Sequence, residues 1–370
     1  MKKKLAIIGA SYLQLPLVRK AKETGVETHC FAWTDSAVCK DVADFFYPIS
    51  ILEKEEILNL CRKIKIDGIT TIASDAAVPT MCFVAENMNL ISNSFESSLT
   101  ATNKYKMRQK FVENKVLSPK FTLAEDRIKF EDFVFPLIVK PTDRSGSKGI
   151  CKVEQKNDLQ KAIERAQNES FTKQAIVEEF VLGAEVSVEA ISWKGKHYIL
   201  AITDKVTTEE PYFVELEHHQ PSQLKKETQD RIKQETLKAL NALNIQFGAS
   251  HTEIKITKDE KLYLIEVGAR MGGDFIGSDL VELSTGYDFL QGVMDIALGK
   301  FVEPQHTKQK FSGVYFLSKE TEQLKQIIEN KNRYPEVIHA EITDSELRCI
   351  QQSADRSGYF IYQSNQKFII

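Results

Sequence analysis

Two glutamates in the stretch HTEIKITKDEKLYLIEVGAR, residues 251–270, occupy positions that indicate metal chemistry. The stretch is typical of two β-strands around a polar turn, and a hairpin closed symmetrically on Asp259–Glu260 places Glu253 directly opposite Glu266. Like charges that face each other destabilise a hairpin. The two carboxylates are therefore expected to share a proton, to lie apart in solvent, or to hold a hard divalent cation, for which carboxylate oxygens are the preferred ligands.

An arginine and a glycine pair follow this hairpin closely. Arg270 comes four residues after the second glutamate, and Gly272-Gly273 opens the backbone beyond it. Alternation along strands also predicts an apolar face on the reverse of the hairpin, made of Ile254, Ile256, Tyr263, Ile265 and Val267. Carboxylates for a metal and an arginine for developing charge are parts of a phosphoryl-transfer site.

Two lysines and a glycine-serine loop could bind the phosphates of such a site. Lys140 ends the apolar strand FPLIVK, where a lysine is costly to bury without an anionic partner. The loop DRSGSKG, residues 143–149, offers backbone N–H groups and hydroxyls of the kind that cradle a polyphosphate, although it is not a Walker A motif. Lys104 starts a predicted helix, and two interpretations of it are open: it binds a phosphate, or it lies on a solvent-exposed helix face.

The stretch IVEEFVLGAEVSVE, residues 176–189, places acids at the end of a strand. Two interpretations are open. It is an exposed hairpin with acidic side chains, or it is an adenine-binding hinge. In the hinge, backbone groups at 179–181 face the adenine edge and a carboxylate faces the ribose hydroxyls.

The elements that must position these residues change along the chain. Residues 1–99 alternate strand and helix with short connections, which predicts a parallel, doubly wound sheet. Residues 100–300 are typical of α+β structure with hairpins. Residues 301–370 begin with the polar stretch EPQHTKQK and are predicted to form a small α+β piece.

Bulk composition excludes several classes of protein. A chain of 370 residues is too long for one ordinary core, so two or three domains are expected. The net charge of −3 gives no reason to expect nucleic-acid or membrane partners, and no apolar run is long enough to span a bilayer. Six scattered cysteines without a C-x-x-C pair favour a reducing compartment, and we expect a cytoplasmic protein.

The motifs together resemble the ATP-grasp superfamily. Those that carry the resemblance are Lys104, LIVKPTDRSGSKGI, VEEFVLGAEVSVE and HTEIKIT…LYLIEVGARMGGD. The resemblance implies α/β and α+β architecture. A Rossmann-like pre-ATP-grasp domain spans 1–99, a two-lobed ATP-grasp domain spans 100–300 with a lid subdomain at about 112–185, and a C-terminal α+β subdomain spans 301–370.

The resemblance also implies residue roles. Glu253 and Glu266 look like the ligands of Mg²⁺, with Mn²⁺ as an alternative, and Lys140 and Arg270 look like catalytic residues. The residues that resemble ATP ligands are Lys104, Lys140, Ser145, Gly146, Ser147, Glu178, Glu179, Val181 and Glu185. Gly268 departs from the pattern, because many members carry a metal-binding Asn at that position.

A narrower resemblance concerns the substrates. IEVGARMGGD together with YFVELEHHQPS resembles the L-amino-acid ligases of the bacilysin-synthetase type, in which a Glu and a His three residues apart line the substrate pocket. Glu215 and His218 match that spacing, and the alternative is an ordinary polar loop. The predicted substrate residues are Glu215, His218, Arg270, Gly272 and Gly273.

The function implied is ATP-dependent ligation of a small-molecule carboxylate to an amine through an acyl phosphate, with release of ADP and phosphate. The predicted substrates are amino acids or similar metabolites, and a homodimer is a compatible assembly. Two alternatives stay open. One is a bicarbonate-using ATP-grasp enzyme of the carboxylase, carbamoyl-phosphate or purine-pathway type, and the other is a non-catalytic ATP-binding regulatory protein.

Overall fold

Three β-sheets organise the part of the chain that the structure describes. The structure is a computed structural model, and the residues it describes are 2–124, 133–146, 148–208, 210 and 212–370. Ser147, one of the predicted phosphate-loop residues, lies outside the described residues. No helix among the described residues has the length and apolar character needed to cross a membrane.

The N-terminal unit is a four-stranded parallel sheet in the order β3-β2-β1-β4. Its elements are β1 (Lys4–Ile8), α1 (Leu15–Glu23), β2 (Glu27–Phe31), β3 (Phe45–Tyr47), α2 (Lys54–Ile64), β4 (Gly68–Thr70), α3 (Val78–Met88) and α4 (Phe95–Thr102). The central strand β1 is buried at every residue after Lys4, as expected for a parallel strand covered on both faces. The predicted parallel sheet with alternating helices is therefore confirmed.

A second sheet of four antiparallel strands, here called the lid sheet, has the order β5-β8-β6-β7. The elements of this region are α5 (Lys104–Glu113), β5 (Phe121–Leu123), β6 (Leu137–Pro141), β7 (Cys151–Val153), α6 (Leu159–Glu169) and β8 (Ala175–Glu179). The apolar side of α6, with Leu159, Ile163 and Ala166, packs on the inner residues of β6 and β8. The lid sheet thus has a small core of its own.

The third sheet, the core sheet, contains eight strands in the order β13-β12-β9-β10-β11-β14-β16-β15. Its first part comprises β9 (Ala184–Trp193), β10 (Lys196–Thr207), β11 (Glu215–Gln220), α7 (Lys226–Ala242), β12 (Gly248–Ile256), β13 (Leu262–Gly268), α8 (Val281–Thr285) and α9 (Phe289–Ala297). All of its pairings are antiparallel.

The C-terminal residues continue this same sheet. They form β14 (Phe311–Leu317), α10 (Leu324–Glu329), β15 (Val337–Ile342) and β16 (Gly358–Ser364). Strand β14 pairs with β11 on one side and with β16 on the other. The boundary at 301 stays a prediction, and the strands after it are hydrogen-bonded to the strands before it.

The hairpin of β12 and β13 places Glu253 opposite Glu266, but not by the predicted route. Near the turn, Ile254 pairs with Leu264, a register in which Glu253 would face Ile265. A β-bulge between Glu253 and Ile254 makes Ile265 an extra residue and moves Glu266 opposite Glu253. The predicted symmetric closure of the turn is therefore wrong, and the opposition of the two glutamates depends on the bulge.

Because of the bulge, the predicted apolar face of β13 is partly wrong. Leu262 and Leu264 are buried in the core together with Val267, whereas Tyr263 and Ile265 are only half-buried. Ile265 lines the cleft described below. A one-residue shift of register turns each side chain to the other face, so the alternation predicted from an unbroken strand fails between 262 and 265.

Candidate functional site

A cleft with about 1200 Å³ of empty space runs between the lid sheet and the hairpin of β12 and β13. Most of the predicted site residues line it, although they come from distant segments. They are Lys104, Lys140, Ser145, Gly146, Glu178, Glu179, Val181, Glu185, Glu215, Glu253, Glu266 and Arg270. The lining does not include the predicted residues His218, Gly272 and Gly273.

Lys104 stands at the first position of α5 and is almost fully buried. The side chain of the N-cap residue Asn103 accepts a bond from Lys106 N at 3.0 Å, which starts the helix at this point. The Lys104 ammonium donates to Glu266 Oε1 at 2.8 Å and to the carbonyl oxygen of Arg144 at 2.7 Å. Lys104 therefore connects a predicted metal ligand with the predicted phosphate loop.

Lys140, at the end of β6, has the anionic partner that its buried position demands. Its ammonium lies 2.7 Å from Glu178 Oε2, and Arg108 Nε lies 2.7 Å from Glu178 Oε1. Burial, helped by the charges of Arg108 and Lys104, lowers the pKa of Lys140 in spite of Glu178. Both oxygens of Glu178 face cations, so this carboxylate holds Lys140 and is not free to reach an adenine ring.

Sequence reasoning missed Arg108. It is fully buried, and its Nη2 donates to the carbonyl oxygen of Ile265 at 2.7 Å. That carbonyl belongs to the extra residue of the β-bulge. One guanidinium thus connects α5, the lid sheet and the strand that carries Glu266. The available signal was its position one helical turn after Lys104, on the same face of α5.

The predicted adenine hinge is the segment that leaves β8. The backbone N–H groups of Glu179 and Phe180 donate to the carbonyls of Lys120 and Pro136 at 2.9 and 3.0 Å. These two donors are therefore used within the lid. Apolar side chains of Ile138, Ile150, Phe213 and Ile265 also line the cleft, and sequence reasoning did not select them.

Both glycines of the predicted phosphate loop, Gly146 and Gly149, have a positive φ. Gly146 has a φ of +65°, in the left-handed region, and a Cβ there would meet nothing within 4 Å. Backbone conformation, not space, therefore explains the glycine. Lys148 and Arg144 also line the cleft on this side, and Nε of Arg144 is buried without a hydrogen-bond partner.

Each of the two opposed glutamates is paired with a lysine, so the repulsion expected between their carboxylates is compensated. Glu253 Oε1 accepts a bond from Lys205 Nζ at 2.8 Å, and Glu266 is bound by Lys104. Burial alone would raise the pKa of Glu253, but the charges of Lys205 and His251 outweigh it and hold that pKa well below its ordinary value. Lysine neighbours thus compensate the charge of this face.

Lys205 is a second residue that sequence reasoning missed. It lies on β10, its side chain is 3% exposed, and three carboxylates surround its ammonium. The distances are 2.5 Å to Glu185, 2.8 Å to Glu253 and 3.5 Å to Glu215. Burial opposes the charged form, but the three acids raise the pKa of Lys205 well above its ordinary value. A permanent positive charge therefore lies between the predicted ribose, metal and substrate acids.

Gly272 has a packing role in the structure. Its N–H donates to Glu189 Oε2 at 3.0 Å, and a Cβ would lie 2.7 Å from Glu189 Oε1 and 2.8 Å from His251 Nδ1. Glu189 and His251 form a close buried ion pair, which outweighs burial and raises the pKa of His251 to about 9. The N–H of Gly272 is consequently not available to a substrate.

Arg270 is held by a residue of the N-terminal unit. Its Nη2 donates to Asp75 Oδ2 at 2.7 Å, while its Nε is buried without a partner. A Cβ on Gly268 would lie 2.7 Å from Asp75 Oδ1 and 3.0 Å from Arg270 Cζ. The Asp75–Arg270 pair therefore occupies the space that an Asn side chain at 268 would need, which explains the glycine.

His218 lies behind the cleft surface and is 1% exposed. Its Nε2 is 3.9 Å from Asp274 Oδ2, and its ring meets the edge of Phe316 at a centroid distance of 5.8 Å. Burial lowers the pKa of His218 in spite of Asp274. His218 thus reaches Glu215 only through a network that also includes Asp274 and Arg356.

The donor set of the hairpin fits a hard divalent cation. Among the residues described, no group of three or more His, Cys, Asp or Glu side chains has the arrangement of a metal site. The pair Glu253 and Glu266 supplies two carboxylates on one face, the number that Mg²⁺ takes when substrate phosphates complete its shell.

Comparisons with known proteins agree with this geometry. Residues 133–279 match the family model of the ATP-grasp domain. Alanine–anticapsin ligase of Bacillus subtilis (strain 168) is 29% identical over 300 residues, which cover 71% of this chain and 63% of that protein. This chain therefore spans less than two thirds of the length of that relative.

Solved structures share the whole fold. The L-amino acid ligase from Bacillus licheniformis has a TM-score of 0.82 at 24% identity, over 99% of this chain and 94% of that one. N5-carboxyaminoimidazole synthetase from Staphylococcus aureus, in complex with ADP, has a TM-score of 0.80 at 16% identity, over 99% and 95%. At such identities the likeness shows the fold alone. The domain match and the shared fold confirm the predicted resemblance: residues 133–279 match the ATP-grasp domain, and the chain is similar in sequence to alanine–anticapsin ligase.

Proposed function

We propose that this protein is an ATP-dependent carboxylate–amine ligase that joins two amino acids or similar small metabolites. One observation carries the proposal. Two opposed carboxylates, two lysines and one arginine converge on a single cleft, through Glu253, Glu266, Lys104, Lys140 and Arg270. The similarity to alanine–anticapsin ligase supports ligation over the bicarbonate-using alternative.

ATP is proposed to lie between the lid sheet and the hairpin. Its phosphates bind the ammonium groups of Lys104 and Lys140 and the loop 143–149. The adenine edge meets the carbonyl of Glu179 and the N–H of Val181, because the N–H groups of Glu179 and Phe180 are used within the lid. Glu185 is the proposed partner of the ribose hydroxyls.

Glu253 and Glu266 are the proposed ligands of Mg²⁺, with Mn²⁺ as an alternative. The bound cation would neutralise and orient the phosphate oxygens. The contribution of the chain is to hold both carboxylates on one face through the β-bulge at Ile265. Lys104 and Lys205 stabilise them there as ionised groups.

The proposed chemistry has two steps. A carboxylate oxygen of the first substrate attacks the γ-phosphorus of ATP, and the bond from that phosphorus to ADP breaks as the acyl phosphate forms. The amine of the second substrate then attacks the acyl carbon, and phosphate leaves with the amine proton. Arg270, whose Nε has no partner in the free protein, is placed to stabilise the negative charge on the acyl oxygen.

The lid sheet is proposed to close over ATP and to exclude water, because an acyl phosphate that meets water is lost by hydrolysis. The protein would then act by positioning and electrostatics, without a covalent enzyme intermediate.

Phosphate release measured over a matrix of amino-acid pairs, with mass spectrometry of each positive reaction, tests the proposal. We expect release that depends on both amino acids and a product with the mass of their amide. Bicarbonate with ATP serves as the parallel reaction. Release that needs bicarbonate and no amine would establish the alternative enzyme class, and ATP binding without release in any reaction would establish a regulatory protein.

Two further parts of the proposal are the cellular compartment and the oligomeric state. All six cysteines are free, which supports a reducing compartment such as the cytoplasm. A homodimer stays a prediction, which light scattering after size-exclusion chromatography would check.

A further inference from the structure

Arg356 binds Glu215, a residue that lines the cleft, from a part of the chain outside the matched ATP-grasp domain. It lies just before β16, and its side chain is 7% exposed. Its Nη1 donates to Asp274 Oδ2 at 2.8 Å, and its Nη2 donates to Glu215 Oε2 at 3.1 Å. Its Nε and Nη2 also donate to the carbonyl of Glu215 at 3.2 and 2.9 Å. The guanidinium therefore binds two acids and one backbone carbonyl at once.

The guanidinium is further fixed by an aromatic ring. Its central carbon lies 3.8 Å from the ring centroid of Phe316 on β14. A planar cation stacked on a ring and bonded at both ends has little freedom to rotate. A lysine could not reproduce this contact, because an ammonium lacks the planar fork that stacks on a ring while it donates to both acids.

Asp274, one of the two acids, has an unusual backbone. Asp274 and Phe275 follow each other with φ values of 49° and 65°, in the left-handed region that residues other than glycine rarely adopt. Such strain persists only where the surroundings impose it, and it is concentrated at functional sites. Here Arg356 binds the Asp274 carboxylate, and the Phe275 ring stacks on Tyr359 at a centroid distance of 4.3 Å. The turn begins four residues after Arg270.

Glu215, the other acid, is held at both oxygens. Lys205 lies 3.5 Å from Oε1 and Arg356 lies 3.1 Å from Oε2. His218, the second residue of the predicted substrate pair, approaches Asp274 at 3.9 Å. Glu215 and His218 are thus connected to each other through Arg356 and Asp274. We call Glu215, His218, Arg270 and Asp274, with Asp75 and Arg356 that bind them, the substrate half of the site. Of these residues, Asp75, Glu215 and Arg270 line the cleft.

We propose that Arg356 is a positioning residue for amino-acid binding, and that it holds Glu215 and the Asp274–Phe275 turn in the geometry that receives the substrate. The inference rests on the proposed ligase function and adds a residue from the C-terminal region to it. The hydrogen bonds of Arg356 go to Glu215 and Asp274, and its connection to Glu253 in the ATP half runs indirectly, through Glu215 and Lys205. We therefore expect its main effect in the substrate half.

Steady-state kinetics of Arg356→Met, Arg356→Lys and the control Arg348→Gln test the inference. Arg348 belongs to the same C-terminal region, but it is exposed and pairs with Asp344 at 2.8 Å. For Arg356→Met we expect the KM for the amino acids to rise about tenfold or more, the usual consequence of losing hydrogen bonds to charged groups. The KM for ATP should change less than about twofold. Arg356→Lys should give an intermediate KM, and Arg348→Gln should match the wild type.

A double variant separates positioning from folding. Arg356→Met leaves the carboxylate of Asp274 without its cation, and this lowers the melting temperature. Adding Asp274→Asn removes that charge, so Arg356→Met/Asp274→Asn should recover melting temperature while the amino-acid KM stays high. Recovery of both quantities would overturn the inference, because charge balance alone would then explain Arg356.

Other outcomes are equally decisive. An Arg356→Met variant with wild-type amino-acid KM would overturn the inference and leave the ligase function standing. An equal rise of the KM for ATP and for the amino acids would also overturn it, since that pattern indicates a general distortion. A wild-type protein that releases no phosphate with any amino-acid pair would overturn the ligase function, and this inference with it.

Discussion

The cleft has two halves that the chain builds in different ways. The ATP half, which consists of Lys104, Arg108, Lys140, Glu178, Glu253 and Glu266, is drawn from three neighbouring elements: α5, the lid sheet and the β12–β13 hairpin. The substrate half is assembled from Asp75 of the N-terminal unit, from β11, from the residues after β13 and from Arg356 before β16. Long-range contacts between these segments hold it together.

The difference indicates which half of the site binds ATP and which half selects the substrates. In the ATP half, paired charges lie on rigid helices and strands, an arrangement that suits a ligand common to many enzymes. In the substrate half, arginines connect loops and turns, and such connections can change without altering the fold. Variants that affect one half and spare the other therefore test the division.

The largest effect is expected from Glu266→Gln in the ATP half. Loss of one of the two opposed carboxylates should lower ATP-dependent phosphate release about a thousandfold, because charge stabilisation of the transferring phosphoryl group is lost. The fold should persist, since glutamine has nearly the same shape and its amide oxygen can still accept the hydrogen bond from Lys104. Phosphate release and circular dichroism measure both quantities. Glu260→Gln, at the exposed hairpin turn, is the matched control, and normal release by Glu266→Gln would show that the metal assignment is wrong.

Gly268→Asn is expected to damage the substrate half. A Cβ at 268 would lie 2.7 Å from Asp75 Oδ1, so the Asp75–Arg270 pair must move. Displacement of a catalytic group by about 1 Å costs about a hundredfold in rate, and kcat should fall by that order. The KM for ATP should stay near its wild-type value.

Gly299→Asn is the control for this substitution. Gly299 has a φ of +78°, which asparagine tolerates, and a Cβ there meets nothing within 4 Å. Full kcat in Gly268→Asn would contradict the account of Gly268, and its crystal structure would show where Asp75 has moved.

A smaller effect is expected from Arg108→Met in the ATP half. The substitution leaves Glu178 paired with Lys140 alone and removes the bond to the Ile265 carbonyl. We expect the KM for ATP to rise about tenfold and the free energy of unfolding to fall by about 3 kcal/mol, as when a buried ion pair loses one partner. The amino-acid KM should not change.

Lys110→Met, on the exposed side of the same helix, is the control, because Lys110 pairs with Glu113 at 2.7 Å at the surface. Kinetics and denaturant unfolding give the two quantities. An Arg108→Met variant whose amino-acid KM rises as much as its KM for ATP would break the division between the halves.

The smallest effect concerns pH and His218. Burial lowers the pKa of His218 below its ordinary 6.5, so the folded state binds this proton less well than the unfolded state does. The contribution of neutral His218 to the free energy of unfolding is fully present above pH 6.5. It is lost as the pH falls from 6.5 through the lowered pKa. We expect the melting temperature to fall less steeply below pH 6.5 in His218→Gln than in the wild type. Parallel curves would show that His218 does not titrate in this window.

The sequence allowed most of the ATP half to be predicted, because its motifs are local. Lys140 at the end of an apolar strand and the two glutamates of one hairpin are visible in short stretches. The β-bulge was not predictable, since bulge and regular pairing place the same residues in the same strand. The opposition of Glu253 and Glu266 was therefore predicted correctly from a wrong turn register.

The substrate half was predicted only in part, for a physical reason. Glu215 and His218 are visible as a spaced pair, but their connection runs through Arg356, more than a hundred residues away. Asp75 reaches Arg270 across the boundary between two sheets. Contacts between distant segments leave no periodic pattern in the sequence, and Lys205 and Arg356 were missed for that reason.

Transfer of an oxygen label tests the central claim most directly. A carboxylate substrate labelled with ¹⁸O in both oxygens is incubated with ATP, Mg²⁺ and the amine, and the released phosphate is analysed by mass spectrometry. If the carboxylate attacks the γ-phosphorus, each phosphate carries one labelled oxygen when it leaves the acyl carbon. Amide formation with unlabelled phosphate would contradict the acyl-phosphate mechanism and the proposed use of the cleft.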